Sequence, residues 1–131
     1  MTNDSLTQAL IQAADGEPAW VQKLLAAGAN PNGMPLIMAI QCGELVIVEM
    51  MLSAGTDVNA PFSDTTPLIR AISSSYPEIV NLLICAGADV NQAAPDGILP
   101  LTSARTQGRA NATPEERERI VRQLINAGAH E

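Results

Sequence analysis

The chain has 131 residues, 47% of them hydrophobic and 2% aromatic, with 14 acidic against 7 basic side chains. This composition is too apolar for a disordered chain, and the net charge of −7 disfavours binding to nucleic acid or an anionic membrane surface. The length fits a single domain over residues 1–131. The sequence shows no apolar run of about 18 residues and no basic leader, so we expect no membrane span, no signal peptide and a cytoplasmic location.

Catalytic and metal-binding patterns are missing from the sequence. Cys42, Cys85 and His130 are the only cysteines and the only histidine, which is too few for a disulfide framework or a zinc site. The sequence contains no Gly-rich phosphate loop and no recognisable pairing of a nucleophile with a base. We therefore predict that the protein is not an enzyme and binds no cofactor and no metal.

Four segments of the chain share one helical pattern and occupy residues 20–28, 47–55, 79–87 and 120–128. Each has apolar residues at its first, second, fifth and sixth positions, which cover one side of an α-helix, and each closes with Ala-Gly, which ends a helix. Trp20 shares the first position with Ile47, Ile79 and Ile120, so we expect it to be buried. On the fourth helix we expect Glu115 to pair with Arg119 and Glu118 with Arg122, four residues apart.

A shorter helix is predicted before each of the last three segments. These helices begin at Pro35, Pro67 and Pro100, because proline suits the first turn of a helix. Polar turn formers containing Asn32, Asn59 and Asn91 follow the preceding helices and predict extended loops or hairpins. The repeating unit is therefore helix, turn, helix and loop.

The tripeptide Thr66-Pro67-Leu68 and the six residues 86–91 resemble the ankyrin repeat, a unit of about 33 residues with two antiparallel helices and a projecting hairpin. The resemblance covers nearly the whole chain as four repeats, at approximately residues 4–31, 32–59, 60–91 and 92–131. It implies an all-α solenoid of stacked helix-turn-helix units with short hairpin or loop connections.

This chain departs from the family pattern at three places. No histidine follows the Pro-Leu pairs, which removes a side chain that usually bonds in the turn. Only Gly33 and Met34 separate Asn32 from Pro35, so the first hairpin is expected to be missing. Eight extra residues lie in the fourth repeat, near 105–113, as a loop or as longer helices; the last helix is expected to start at Thr113.

The resemblance implies a protein that binds one protein partner, of unknown identity, through a concave face of hairpin tips and first helices. Carried onto this chain, the contact positions are Gln41, Cys42, Phe62, Ser63, Thr65, Ser73, Ser74, Asp96, Ile98, Thr106 and Gln107. Phe62 is a candidate aromatic anchor, because aromatic residues are enriched at interfaces; the alternative is that its ring folds back onto the neighbouring hairpin.

Two other functions remain open from the sequence. The chain could be a dedicated inhibitor or immunity-type protein that neutralises a toxin or enzyme, which nanomolar or tighter affinity would distinguish from a transient adaptor. It could also be a self-associating structural module, although we expect a monomer when no partner is bound.

Overall fold

The computed structural model describes residues 3–14, 16–106 and 112–130, and their regular secondary structure is helical. The pairs of helices agree with the all-α architecture expected from the sequence. The eight helices are α1 (Asn3–Ala13), α2 (Pro18–Ala26), α3 (Met34–Gln41), α4 (Leu45–Ser53), α5 (Pro67–Ser73), α6 (Pro77–Cys85), α7 (Pro100–Thr106) and α8 (Pro114–Asn126).

The helices form two compact units, unit 1 over residues 1–57 and unit 2 over residues 58–131. In unit 1, α1 packs against α2 and α3, and α4 packs against α2 and α3. In unit 2, α5 packs against α6 and α7, and α8 packs against α6 and α7. Each unit therefore stacks first helix on first helix and second helix on second helix.

Apolar side chains from both layers of helices fill the core of each unit. The largest fully buried side chains in unit 1 belong to Leu10, Val21, Leu36, Ile40, Ile47, Val48 and Met51, and those in unit 2 to Ile72, Ile79, Leu83, Ile120 and Leu124. Each such side chain contributes about 1.5–3 kcal/mol through its removal from water.

Helix starts and helix ends follow the predicted signals. Thr66 caps α5, its hydroxyl accepting from the Ile69 amide at 3.2 Å, and Thr113 and Glu116 form a reciprocal capping box at α8. The second helices α2, α4, α6 and α8 are each followed by a glycine with φ between 91° and 100°. An L side chain is strained at this φ, and the next amide bonds back to the last helical turn, as at Ala88 to the Leu83 carbonyl (3.0 Å).

Three asparagine side chains, which we call the asparagine bridges, connect the loop after one second helix to the loop after the next. The Asn32 Oδ1 atom accepts from the Asp57 amide at 2.9 Å, and the Asn91 Oδ1 atom accepts from the His130 amide at 2.9 Å. The Asn59 Oδ1 atom accepts from the Asp89 amide at 2.7 Å. Asn59 and Asn91 also donate to the carbonyls of the glycines that end α6 and α8, each at 3.2 Å.

The insertion in the fourth repeat is divided between a helix and the segment before it. Helix α7 has 7 residues, as α5 has, whereas α8 has 13 residues against 9 in α6. Four of the eight extra residues therefore lengthen α8 at its start. Residues 107–111 lie outside the described part of the chain.

Two side-chain predictions are wrong. Trp20 is 46% exposed rather than buried, because α2 packs on α4 with the opposite edge of its apolar stripe. Arg119 bonds to Glu78 of α6 at 3.0 Å instead of Glu115, because the neighbouring helix brings a carboxylate closer than the same helix does. The predicted pair of Glu118 and Arg122 is confirmed at 3.1 Å.

We expect Asn59→Ala to lower the free energy of unfolding by about 1 kcal/mol, since it removes hydrogen bonds to the exposed Asp89 amide and Gly87 carbonyl, which water replaces only in part. Urea unfolding measures this change. Asn81→Ala, an exposed position on α6, is the control and should change stability by less than about 0.5 kcal/mol. Equal losses at both sites would contradict a structural role for the bridge.

Candidate protein-binding surface

The first hairpin tip of unit 2 is a tight turn at Phe62–Thr65. The Phe62 amide donates to the Thr65 carbonyl at 2.9 Å, and the Thr65 amide donates to the Phe62 carbonyl at 3.1 Å. Ser63 has a φ of 58°, whereas Asp64 is not among the residues with positive φ. Positive φ at the first loop residue but not at the second is the pattern of a type II′ turn. The turn presents Ser63 and Asp64 to solvent.

The second tip of unit 2 lies between Ala94 and Ile98. The Ala94 amide donates to the Ile98 carbonyl at 2.9 Å, and the Asp96 carboxylate accepts from the Ile98 amide at 3.0 Å. Asp96 thus shapes its own loop, as aspartates do in turns, while remaining exposed.

The two tips and helix α5 together border an open polar cavity of about 150 Å³. Four of the predicted contact residues line it, namely Thr65, Ser73, Asp96 and Ile98. The remaining lining residues are Asp64, Ile69 and Arg70. The fold therefore brings together residues from two loops and one helix that are as many as 34 positions apart in the sequence.

Arg70 is one of three lining residues, with Asp64 and Ile69, that were not predicted from the sequence. Its Nε atom is buried and has no hydrogen-bond partner, which is an uncommon state for a guanidinium group. The equivalent positions of the first helices α3 and α7 carry Met38 and Ser103. The sequence signal for Arg70 is a charged residue at a helix position that is uncharged in the other two repeats.

The other predicted residues of unit 2 differ in accessibility. Phe62 is half-buried beside the exposed Ser63. Thr65 is only 6% exposed, so its side chain supports the turn more than it faces a partner. Ser74 is half-buried at the end of α5. Thr106 is exposed, and its hydroxyl donates to the Thr102 carbonyl at 2.7 Å.

The last three predicted contact residues lie in unit 1 or outside the described residues. Gln41 and Cys42 are exposed at the end of α3 in unit 1, with the Cys42 Sγ atom 3.9 Å from the Met38 Sδ atom. Gln107 lies outside the described part of the chain.

Comparison with known families identifies the architecture. A family model described as ankyrin repeats (3 copies) matches residues 8–94, and the chain belongs to the ankyrin-repeat family. Ankyrin repeats are generally protein–protein interaction modules. Among curated proteins, none matches the sequence significantly. Over the described ranges, the helices are all too short or too polar to cross a membrane.

We expect Ser63→Gly to stabilise the protein by up to about 1 kcal/mol, because glycine takes the positive φ of the first loop position without strain. Thermal or urea unfolding measures the change. Ser63→Val should instead destabilise the protein, since a β-branched residue is strained at this φ. A gain in stability with valine would contradict the type II′ turn.

Proposed function

We propose that this chain is a non-enzymatic protein-binding module whose contact surface is the first-helix and hairpin-tip side of unit 2. The observation that carries the proposal is the convergence of Thr65, Ser73, Asp96 and Ile98 on one cavity. These four residues occupy positions that, by resemblance to ankyrin repeats, contact a partner.

The chemistry of the cavity suits a protein surface. Asp64 and Asp96 are exposed acceptors on two neighbouring tips, and the guanidinium of Arg70 offers donors between them. Hydrogen bonds that involve charged groups are stronger than neutral ones and fix the orientation of a partner. Phe62 is a partly exposed aromatic residue on the first tip, and aromatic side chains often anchor protein contacts.

Rigid support of the tips favours binding of a folded partner. The main-chain bonds of the first tip and the Asp96 bond of the second fix both loops before any partner arrives. A surface ordered in advance loses less conformational entropy on binding. We place this activity in the cytoplasm, a reducing compartment in which exposed cysteines such as Cys42 and Cys85 persist as thiols.

The test is affinity capture from the lysate of the native cell with the double variant Phe62→Ala/Asp64→Lys. We expect a stoichiometric partner to bind the wild-type chain and to be weakened at least tenfold by this variant. Val46→Ala/Glu49→Lys is the matched control, because it also truncates one apolar residue and reverses one acidic charge, at exposed positions of α4.

The outcomes separate the parts of the proposal. A partner lost by the tip variant and kept by the control supports binding through the tips. A partner kept by both variants contradicts the tips as the contact surface, and no stoichiometric partner for the wild type contradicts a protein-binding function. The Kd then assigns the role: micromolar for an adaptor, and nanomolar or tighter for a neutralising inhibitor.

A further inference from the structure

The apolar stripe of each second helix has two edges, and their burial changes along the chain. One edge is the column of Trp20, Ile47, Ile79 and Ile120. The other edge combines the column of Val21, Val48, Val80 and Val121 with that of Leu25, Leu52, Ile84 and Ile125. In α4 and in α6, the isoleucine of the first edge and the valine of the second are both at most 2% exposed.

The outer helices α2 and α8 bury opposite edges. In α2, Val21 is fully buried while Trp20 is 46% exposed. In α8, Ile120 is buried, whereas Val121 is half-buried and Ile125 is 48% exposed. Trp20 and Ile125 are thus large apolar side chains that are more exposed than their counterparts: Ile47 and Ile79 are buried, and Leu52 and Ile84 are half-buried.

The two exposed edges are of the kinds that pack together where one second helix contacts the next. Helix α2 packs on α4 in unit 1, and α8 packs on α6 in unit 2. The burial of Val21 and Ile47 in unit 1, and of Val80 and Ile120 in unit 2, indicates that each contact joins the second edge of one helix to the first edge of the helix that follows. The described residues provide no following helix for α8 and no preceding second helix for α2.

The groove beside α8 and the unit that carries Trp20 also have charges of opposite sign. A groove of about 570 Å³ runs along the exposed edge of α8 and is lined by Val121, Ile125, Ala112, Pro114, Glu118, Arg105 and Arg117. It holds two arginines against one glutamate. Unit 1, which carries Trp20, has six acidic residues and one lysine, a net charge of −5. Opposite charges favour approach of these two surfaces.

We propose that two copies of this chain associate head to tail, with the Trp20 edge of α2 in one copy packed on the Val121–Ile125 edge of α8 in the other. The contact repeats the stacking of second helices already present within each unit. It is heterologous, so each pair leaves one edge of each kind uncovered for a further copy. The monomer expected from the sequence becomes the dilute state of a concentration-dependent association.

Two variants, each disabled at one edge, test the proposal. Trp20→Lys removes the first edge and Ile125→Glu removes the second; both positions are exposed, so both variants should fold, as far-ultraviolet circular dichroism and urea unfolding will show. In sedimentation velocity, the wild-type chain should increase in mass with concentration. Each variant alone should remain a monomer, and an equimolar mixture should form a dimer and nothing larger.

Trp20 is the only tryptophan, which provides a second measurement. The Trp20→Lys variant has no tryptophan, so in the mixture all indole emission comes from the Ile125→Glu variant. Adding the Trp20→Lys variant should shift this emission to the blue and saturate at one equivalent. Adding the double variant Trp20→Lys/Ile125→Glu should leave the emission unchanged.

Val46→Lys is the control for non-specific apolar association, because Val46 is 59% exposed and belongs to neither edge. It should associate as the wild type does. The proposal is overturned if the wild type stays a monomer at millimolar concentration, or if either single variant self-associates as strongly as the wild type. It is equally overturned if the two variants fail to form a dimer together.

Discussion

The loops between the helix pairs depend on the asparagine bridges, the side-chain bonds of Asn32, Asn59 and Asn91. A loop amide such as that of Asp89 has no helical carbonyl to bond, and a typical hydrogen bond contributes a net stabilisation of about 0.5–1.5 kcal/mol. The Asn59 side chain supplies the acceptor at 2.7 Å and also donates to the Gly87 carbonyl. The Asn59 side-chain amide therefore holds two main-chain groups of the next loop in place. The hairpin tips extend from loops that are held in this way.

The hydrogen-bonded tips of unit 2 hold polar side chains beside α5, a helix that is otherwise mostly apolar. Helix α5 buries Leu68, Ile69 and Ile72, yet Arg70 lies among them with its Nε atom buried and unbonded. An unsatisfied donor lowers stability, and such costs are concentrated where function requires them. Under the proposed function, an acceptor of the partner would pair with this Nε atom.

The helices and their ends could be predicted because each depends on local chemistry: a period of 3.6, a proline at the start and a glycine at the end. The cavity could not, since Asp64 and Arg70 meet Asp96 only after α5 and α7 have packed together. The prediction that Trp20 is buried is wrong for a related reason. Its column shows which edge of the helix is apolar, but burial also requires a neighbouring helix on that side. Arg119 likewise pairs with Glu78 of an adjacent helix. The spacing of charges along α8 cannot predict a partner on another helix.

Amide hydrogen exchange of the wild-type chain, followed by NMR, tests the role of the asparagine bridges most directly. Asp57, Asp89 and His130 are exposed residues in loops whose amides bond to asparagine side chains. We predict that these three amides exchange far more slowly than the amide of the exposed loop residue Asp64, and that Asn59→Ala removes the protection of Asp89 alone. Exchange of Asp89 at the unprotected rate in the wild-type chain would contradict the account.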